Sequence, residues 1–164
     1  MRITLTVIAA ALLAGGVATV AQAKPAAVSV QIAPELQAKA AKLYGVRDVH
    51  GLASALRTDV ERQLTRTGAY QDASVELVLA DAVPNRPTMK QMGDRPGLSY
   101  RSFGTGGARI EGRIVGSDGR VTPVRFQYYS ATLHDVTTPT TWGDADWTLR
   151  RFAYELGRGR PSGG

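Results

Sequence analysis

Apolar and polar residues alternate with period two over several stretches of the chain and recur at helical spacing over two others. In 26–33 (AAVSVQIA), Val28, Val30 and Ile32 alternate with Ser29 and Gln31, which predicts a strand. Pro34 ends it, because proline has no N–H to give to a ladder. The alanines and lysines of 35–44 favour helix, but Gly45 stops that segment early. The clearest helix follows. Val49, Leu52, Ala53, Leu56, Val60 and Leu64 form one apolar stripe, with Arg57, Asp59, Glu61, Arg62 and Arg66 on the wet faces. Asp48 is placed to cap its start and Gly68 to close its end in a left-handed conformation. In 73–83, Val75, Leu77 and Leu79 point one way and Glu76, Val78 and Ala80 the other, as in a strand.

A Pro- and Gly-rich stretch, 84–107, then interrupts the pattern. It exceeds the roughly 12–15 residues beyond which structureless loops become uncommon in compact domains. After it a hairpin can be derived in register. Ile110, Gly112 and Ile114 alternate with Arg109, Glu111 and Arg113; Val124, Phe126 and Tyr128 alternate with Arg125, Gln127 and Tyr129. Both apolar sets fall on even numbers, so facing residues must sum to an even number if they share a face. A Ser117-Asp118-Gly119 loop satisfies this and sets Gly112 opposite Val124, Ile110 opposite Phe126 and Glu111 opposite Arg125. Pro123 argues for an edge strand. The last element is a helix with Ala145, Leu149, Phe152, Ala153 and Leu156 on one face. Thr141 and Asp144 are spaced as a capping box, Gly157 ends the helix, and 158–164 is expected to be a disordered polar tail. The expected fold is α+β. It is a two-layer sandwich of a mostly antiparallel sheet, about four strands, with two helices packed on one face.

The N-terminal pattern is of another kind. Arg2 precedes an uncharged run from Ile3 to Val20, broken by Gly15-Gly16 and ending in Ala21-Gln22-Ala23. This predicts a secretory signal peptide over 1–23, with Lys24 as the first mature residue and a single domain over 24–157. The apolar run is long enough for a membrane anchor, but the glycine pair and the Ala-x-Ala end favour cleavage. Export places the mature protein in the periplasm or outside the cell, with no stable membrane anchor. The chain has no cysteine, which excludes a lipidated-cysteine anchor, thiol catalysis and thiolate metal sites. Net charge is +6 and spread along the chain, a modest excess that ordinary solubility explains better than attraction to anionic partners.

Candidate chemistry is sparse. The nearest approach to a metal cluster is His134, Asp135, Asp144 and Asp146, but its acids are split between a cap and a helix turn, so no metal or other cofactor is expected. No serine sits in a Gly-x-Ser-x-Gly elbow. Of the strand acids Glu76, Asp81 and Glu111, the last is better explained as a partner of Arg125. Gly104-Thr105-Gly106-Gly107 lacks the following helix that a phosphate cradle needs; its glycines fit close packing at a strand entrance. The densest basic and aromatic set is Arg86, Lys90, Arg95, Tyr100, Arg101 and Phe103, all within 84–107. Export argues against nucleic acid as its partner. An envelope protein or an anionic envelope component is expected instead.

Taken together, the Gly-Gly-Ala-x-Ile-Glu-Gly-x-Ile run of Gly106 to Ile114 and the Thr-Trp-x-Asp of Thr141 to Asp144 give the chain a recognisable look. With the Asp-Gly turn between them, it resembles proteobacterial envelope proteins in families of unknown function, many of them small lipoproteins. The resemblance covers roughly 46–156. It implies an α/β periplasmic domain and brings no activity and no catalytic residue. The missing lipobox cysteine departs from the lipoprotein pattern. The expected role is a non-enzymatic binding or accessory module of the envelope that uses 84–107 as its contact surface. The alternatives are a hydrolase acting on envelope material and a structural component of an envelope assembly.

Overall fold

A computed structural model describes Lys24, residues 26–160 and Ser162–Gly163. The expected signal peptide lies outside the described residues. The chain runs β1 (Ala27–Ile32), α1 (Pro34–Lys39), a π-helical turn (Ala40–Tyr44) and α2 (Val46–Thr67). It continues through β2 (Ser74–Val83), α3 (Met89–Asp94), β3 (Gly107–Val115) and β4 (Val121–Tyr129). After a 3-10 turn (Leu133–Asp135) come α4 (Gly143–Gly157) and β5 (Ser162–Gly163).

The strands form one sheet in the order β1-β2-β3-β4-β5. The class is α+β as expected, but the sheet is mixed rather than mostly antiparallel. β1 pairs parallel to β2, since a helical crossover separates them, and β5 pairs parallel to β4; only β2-β3 and β3-β4 are antiparallel. Among the described residues four α-helices replace the expected two, because α1 follows β1 directly and α3 forms inside 84–107. The hairpin register is as derived: Ile110 faces Phe126, Gly112 faces Val124 and Glu111 faces Arg125. Its turn has Gly119 at φ +78°. Among the described residues the outer side of β4 is paired at Arg125 and Phe126, and no strand lies beyond its Pro123 end.

Burial follows the stripes. All six predicted α2 residues are buried, as are Ala145, Leu149, Phe152, Ala153 and Leu156 of α4. They join Val75, Leu77, Leu79, Ile110, Ile114, Val124 and Phe126 in one core. Each such large apolar side chain contributes about 1.5–3 kcal/mol by leaving water. α2 packs on β1, α4 on β3 and β4, and the two long helices on each other. The opposite side of the sheet carries ion pairs instead, Glu76 with Arg113 at 2.7 Å and Glu111 with Arg125 at 3.3 Å. A bulge between Leu79 and Asp81 switches the alternation of β2, so Ala82 turns inward and is fully buried.

Two expected caps are absent. α2 begins two residues before Asp48, directly after Gly45, whose φ of +101° breaks the preceding turn. Asp48 instead accepts a hydrogen bond from Trp142 Nε1 at 3.3 Å. Trp142 is buried and meets Tyr44 edge-on at 5.7 Å, tying the start of α2 to the start of α4. Thr141 does not cap α4, whose N-cap residue is Trp142; its carbonyl accepts the Asn85 N–H at 2.8 Å. Gly68, at φ +69°, does close α2 as expected.

At Gly112 β3 leaves no room for a side chain against β2: a Cβ there would lie 2.2 Å from the Glu76 carbonyl oxygen. Backbone cannot yield as a side chain can. Gly112→Ala is therefore expected to cost about 1–3 kcal/mol, the range for overpacking a filled site. Equilibrium urea unfolding of the two proteins measures it, and equal midpoints would contradict the close approach.

Candidate interaction surface

The segment 84–107 leaves the sheet at β2 and returns to it at β3, and one buried carboxylate holds its two ends. Asp144, in the first turn of α4, is fully buried. Its Oδ2 accepts from Asn85 Nδ2 at 2.7 Å and Ser130 Oγ at 2.7 Å; its Oδ1 accepts from the Thr137 N–H at 2.8 Å and Thr137 Oγ1 at 2.9 Å. Asn85 is 1 % exposed and returns the contact, its Oδ1 accepting the Asp144 N–H at 2.9 Å. Asn85 also binds Gly104 twice: its backbone carbonyl accepts the Gly104 N–H at 2.8 Å, and its Nδ2 donates to the Gly104 carbonyl at 3.2 Å. Ser130 Oγ accepts the Gly106 N–H at 3.0 Å. The glycines permit this approach: a Cβ on Gly106 would lie 2.6 Å from Asn85 Oδ1, and one on Gly107 would lie 2.1 Å from the Tyr128 carbonyl oxygen.

Burial alone would raise the Asp144 pKa, but the hydrogen bonds from Asn85, Ser130 and Thr137 outweigh it and hold the carboxyl below its ordinary value. Its place in the first turn of α4 adds the favourable end of the helix dipole.

Between the two anchors the chain is folded further. Thr88 caps α3 by accepting the Gln91 N–H, while the Gln91 side chain accepts the Thr88 N–H. That Thr-x-x-Gln spacing is a capping-box signature, legible in the sequence and absent from the expectation above. Arg86 is half-buried and turned inward. Its Nε donates to the Pro139 carbonyl at 2.5 Å, its Nη1 donates to the Tyr100 carbonyl, and its guanidinium stacks on Phe103 at 5.2 Å. Arg86 thus braces the segment. Lys90 is ion-paired with Asp94 at 2.8 Å.

The remaining residues of the predicted set face water. Tyr100 is 57 % exposed and its hydroxyl donates to Met89 Sδ at 2.8 Å; Met89 is 70 % exposed. Phe103 shows one side of its ring. Arg95 and Arg101 are exposed, and among the described residues neither guanidinium reaches a carboxylate. Met89 is the member that sequence reasoning missed; the unrecognised helix cap is what presents it.

The other chemical candidates lie apart from this surface. His134 and Asp135 sit on an exposed turn, where the Asp135 carboxylate accepts from Thr132. The hydrogen bonds of Asp144 do not include His134. Among the described residues no three His, Asp or Glu side chains gather as a metal-binding group. Asp81 accepts from Lys39 Nζ at 2.8 Å and from the Tyr129 hydroxyl at 3.0 Å, and Asp81 and burial together drive the tyrosine pKa up.

The Asp144 carboxyl is depressed in the folded protein, so its stabilisation is complete above the unfolded value of about 3.9 and is lost as pH falls through the folded value. Asp144→Asn presents an amide to donors that need an acceptor. It is expected to lower stability by about 2–4 kcal/mol at pH 7 and to reduce the loss of stability on acidification. Denaturant unfolding at a series of pH values reads both; parallel curves for the two proteins would contradict a role for the ionised carboxylate.

No protein-family model matches the chain, and no curated protein matches it.

Proposed function

We propose that the protein is a non-enzymatic binding module of the bacterial cell envelope, working in the periplasm, that seats an acidic protein surface on Met89, Arg95, Tyr100, Arg101 and Phe103. In this reading the fold is a two-layer sandwich, and α3 with its flanking turns is the platform it displays. One observation carries the proposal: among the described residues two exposed guanidinium groups have no carboxylate partner, and they share one braced segment with exposed Met, Tyr and Phe side chains. Tyr, Phe, Met and Arg are the residues enriched in protein interfaces, whereas a merely solvated loop would carry Lys, Glu and Ser. The segment 84–107 has four basic residues against one acid, which selects for an acidic partner. Bracing by Asn85, Asp144 and Arg86 reduces the ordering that association would otherwise require. Among the described residues no helix is long and apolar enough to cross a membrane.

The test is capture from an envelope extract by immobilised protein, at low and high salt. Arg95→Ala, Tyr100→Ala and Arg101→Ala combined should leave stability within about 0.5 kcal/mol per site. The same variant should lose at least about tenfold in retention of an acidic protein that the parent chain holds. Arg113→Ala, on the far face of the sheet, should retain it as the parent does. If the triple variant captures the same protein equally well, the platform is not the contact surface. Binding to anionic phospholipid vesicles alone, lost in the triple variant, would replace the protein partner with a lipid surface.

A further inference from the structure

β1 is the outermost strand of the sheet among the described residues, with β2 on one side and no strand on the other. The N–H of Ala27 donates to the Ala73 carbonyl at 3.0 Å and that of Ala33 to the Leu79 carbonyl at 3.1 Å. The odd-numbered residues from one to the other therefore turn N–H and C=O toward β2, and the even-numbered Val28, Val30 and Ile32 turn theirs outward. The Ile32 carbonyl accepts Gln37 Nε2 at 3.1 Å. Among the described residues the backbone N–H and C=O of Val28 and Val30 have no partner.

The two edges of the sheet differ. At the far edge β4 carries Pro123 and Arg125, and β5 covers part of it. Proline, charge and partial cover are devices that keep a strand edge from pairing. β1 reads Ala-Val-Ser-Val-Gln-Ile and has none of them, and its register against β2 is unbroken. Its Val28, Val30 and Ile32 side chains pack on the core but are only partly buried, where a further strand would cover them. Beside them, between this edge and α2, runs a groove of about 400 Å³ lined by Val30, Ile32, Ala53, His50, Ser54 and Arg57.

Free N–H and C=O groups at strand spacing call for extended backbone, and the register selects whose. In an antiparallel pair the outward-turned residues meet as hydrogen-bonded pairs. Set against itself, β1 must therefore place even-numbered residues opposite even-numbered ones, which also keeps the valines on the helix side and Ser29 and Gln31 on the other. The fullest overlap of a 27–32 strand is centred on Ser29 or on Val30. Centring on Val30 would set Val28 opposite Ile32, whose carbonyl is already taken by Gln37. Centring on Ser29 sets Val28 opposite Val30 on both sides of a two-fold axis and uses all four free groups of each copy. Nothing in an uncharged edge selects a foreign strand, whereas its own sequence satisfies it in one register, the condition for a closed symmetric pair.

We propose that the protein forms a two-fold dimer by antiparallel pairing of β1 with β1 of a second copy, so that one sheet runs through both chains and Ser29 faces its counterpart on the axis. The interface is separate from the platform of α3 and does not depend on the reading given to it.

The experiment is sedimentation velocity of the protein expressed from its full sequence, from about 1 to about 100 μM, with oxidative cross-linking in parallel. The parent is expected to show twice the monomer mass. Val30→Pro removes an outward N–H and no bond to β2, and Ser29→Lys sets like charges opposite each other; each should weaken self-association at least about tenfold. Circular dichroism checks that the variants are folded, and Ser29→Lys, at an exposed position, stands alone if Val30→Pro is not. The chain has no cysteine, so Ser29→Cys introduces a lone thiol. A non-hydrogen-bonded antiparallel pair holds its Cα atoms roughly 4.5 Å apart, within the roughly 4.4–6.8 Å that a disulfide spans. Ser29→Cys should give a covalent dimer under copper–phenanthroline oxidation, and Ser117→Cys, exposed in the hairpin turn, should not. A parent that stays monomeric throughout, a dimer that the folded edge variants keep, or a dimer in which Ser29→Cys links no faster than Ser117→Cys would overturn the proposal. So would a monomeric parent whose Ser29→Cys variant links to a different protein in an extract, which would put a foreign strand at this edge.

Discussion

The ionised carboxylate of Asp144 joins four segments that are far apart in the chain: the exit of β2 through Asn85, the exit of β4 through Ser130, the approach to α4 through Thr137, and α4 itself. Removing a carboxylate from water costs several kcal/mol even after relaxation. Four donors at 2.7 to 2.9 Å replace the lost water here. Apolar residues of the same volume could fill the space at no loss of stability. They could not dictate which backbone groups meet. Asn85 illustrates this: its amide must give Nδ2 to Asp144 and Gly104 and take the Asp144 N–H with Oδ1, and a single orientation does all three.

Elements with strong local periodicity could be read directly from the sequence. The α2 stripe from Val49 to Leu64 and the hairpin register around Ile110 and Phe126 follow from spacing and parity alone, and the folded chain keeps both. What escaped depends on contacts distant in sequence. The parallel pairing of β1 with β2 requires knowing that the helical crossover returns beside its own starting strand. The caps failed for a similar reason. Asp48 and Asp144 are the right residue types near helix starts, but Trp142 claims the first and Asn85, Ser130 and Thr137 claim the second. Local propensity placed these acids correctly in sequence and wrongly in partnership.

The same division runs through the candidate surfaces. Composition located the basic and aromatic set within 84–107, but it could not sort that set. Arg86 is spent inside on Pro139, Tyr100 and Phe103, and Lys90 on Asp94, whereas Arg95 and Arg101 are left to solvent. The four-residue spacing of Trp147, Arg151 and Glu155 is a sequence fact; the way β4 and the residues after α4 close over that stripe is a fact of packing.

α4 links these features mechanically. Its first turn holds Asp144 and so fixes both ends of the 84–107 segment, while its later turns carry Trp147, Arg151 and Glu155. Its apolar stripe is anchored in the core through Leu149, Phe152 and Leu156, each exposed by 1 % or less. Thr148 adds a constraint midway, its hydroxyl donating to the Asp144 carbonyl at 2.6 Å. The tie between the two ends of 84–107 and the Trp147, Arg151 and Glu155 stripe are therefore carried by the same element.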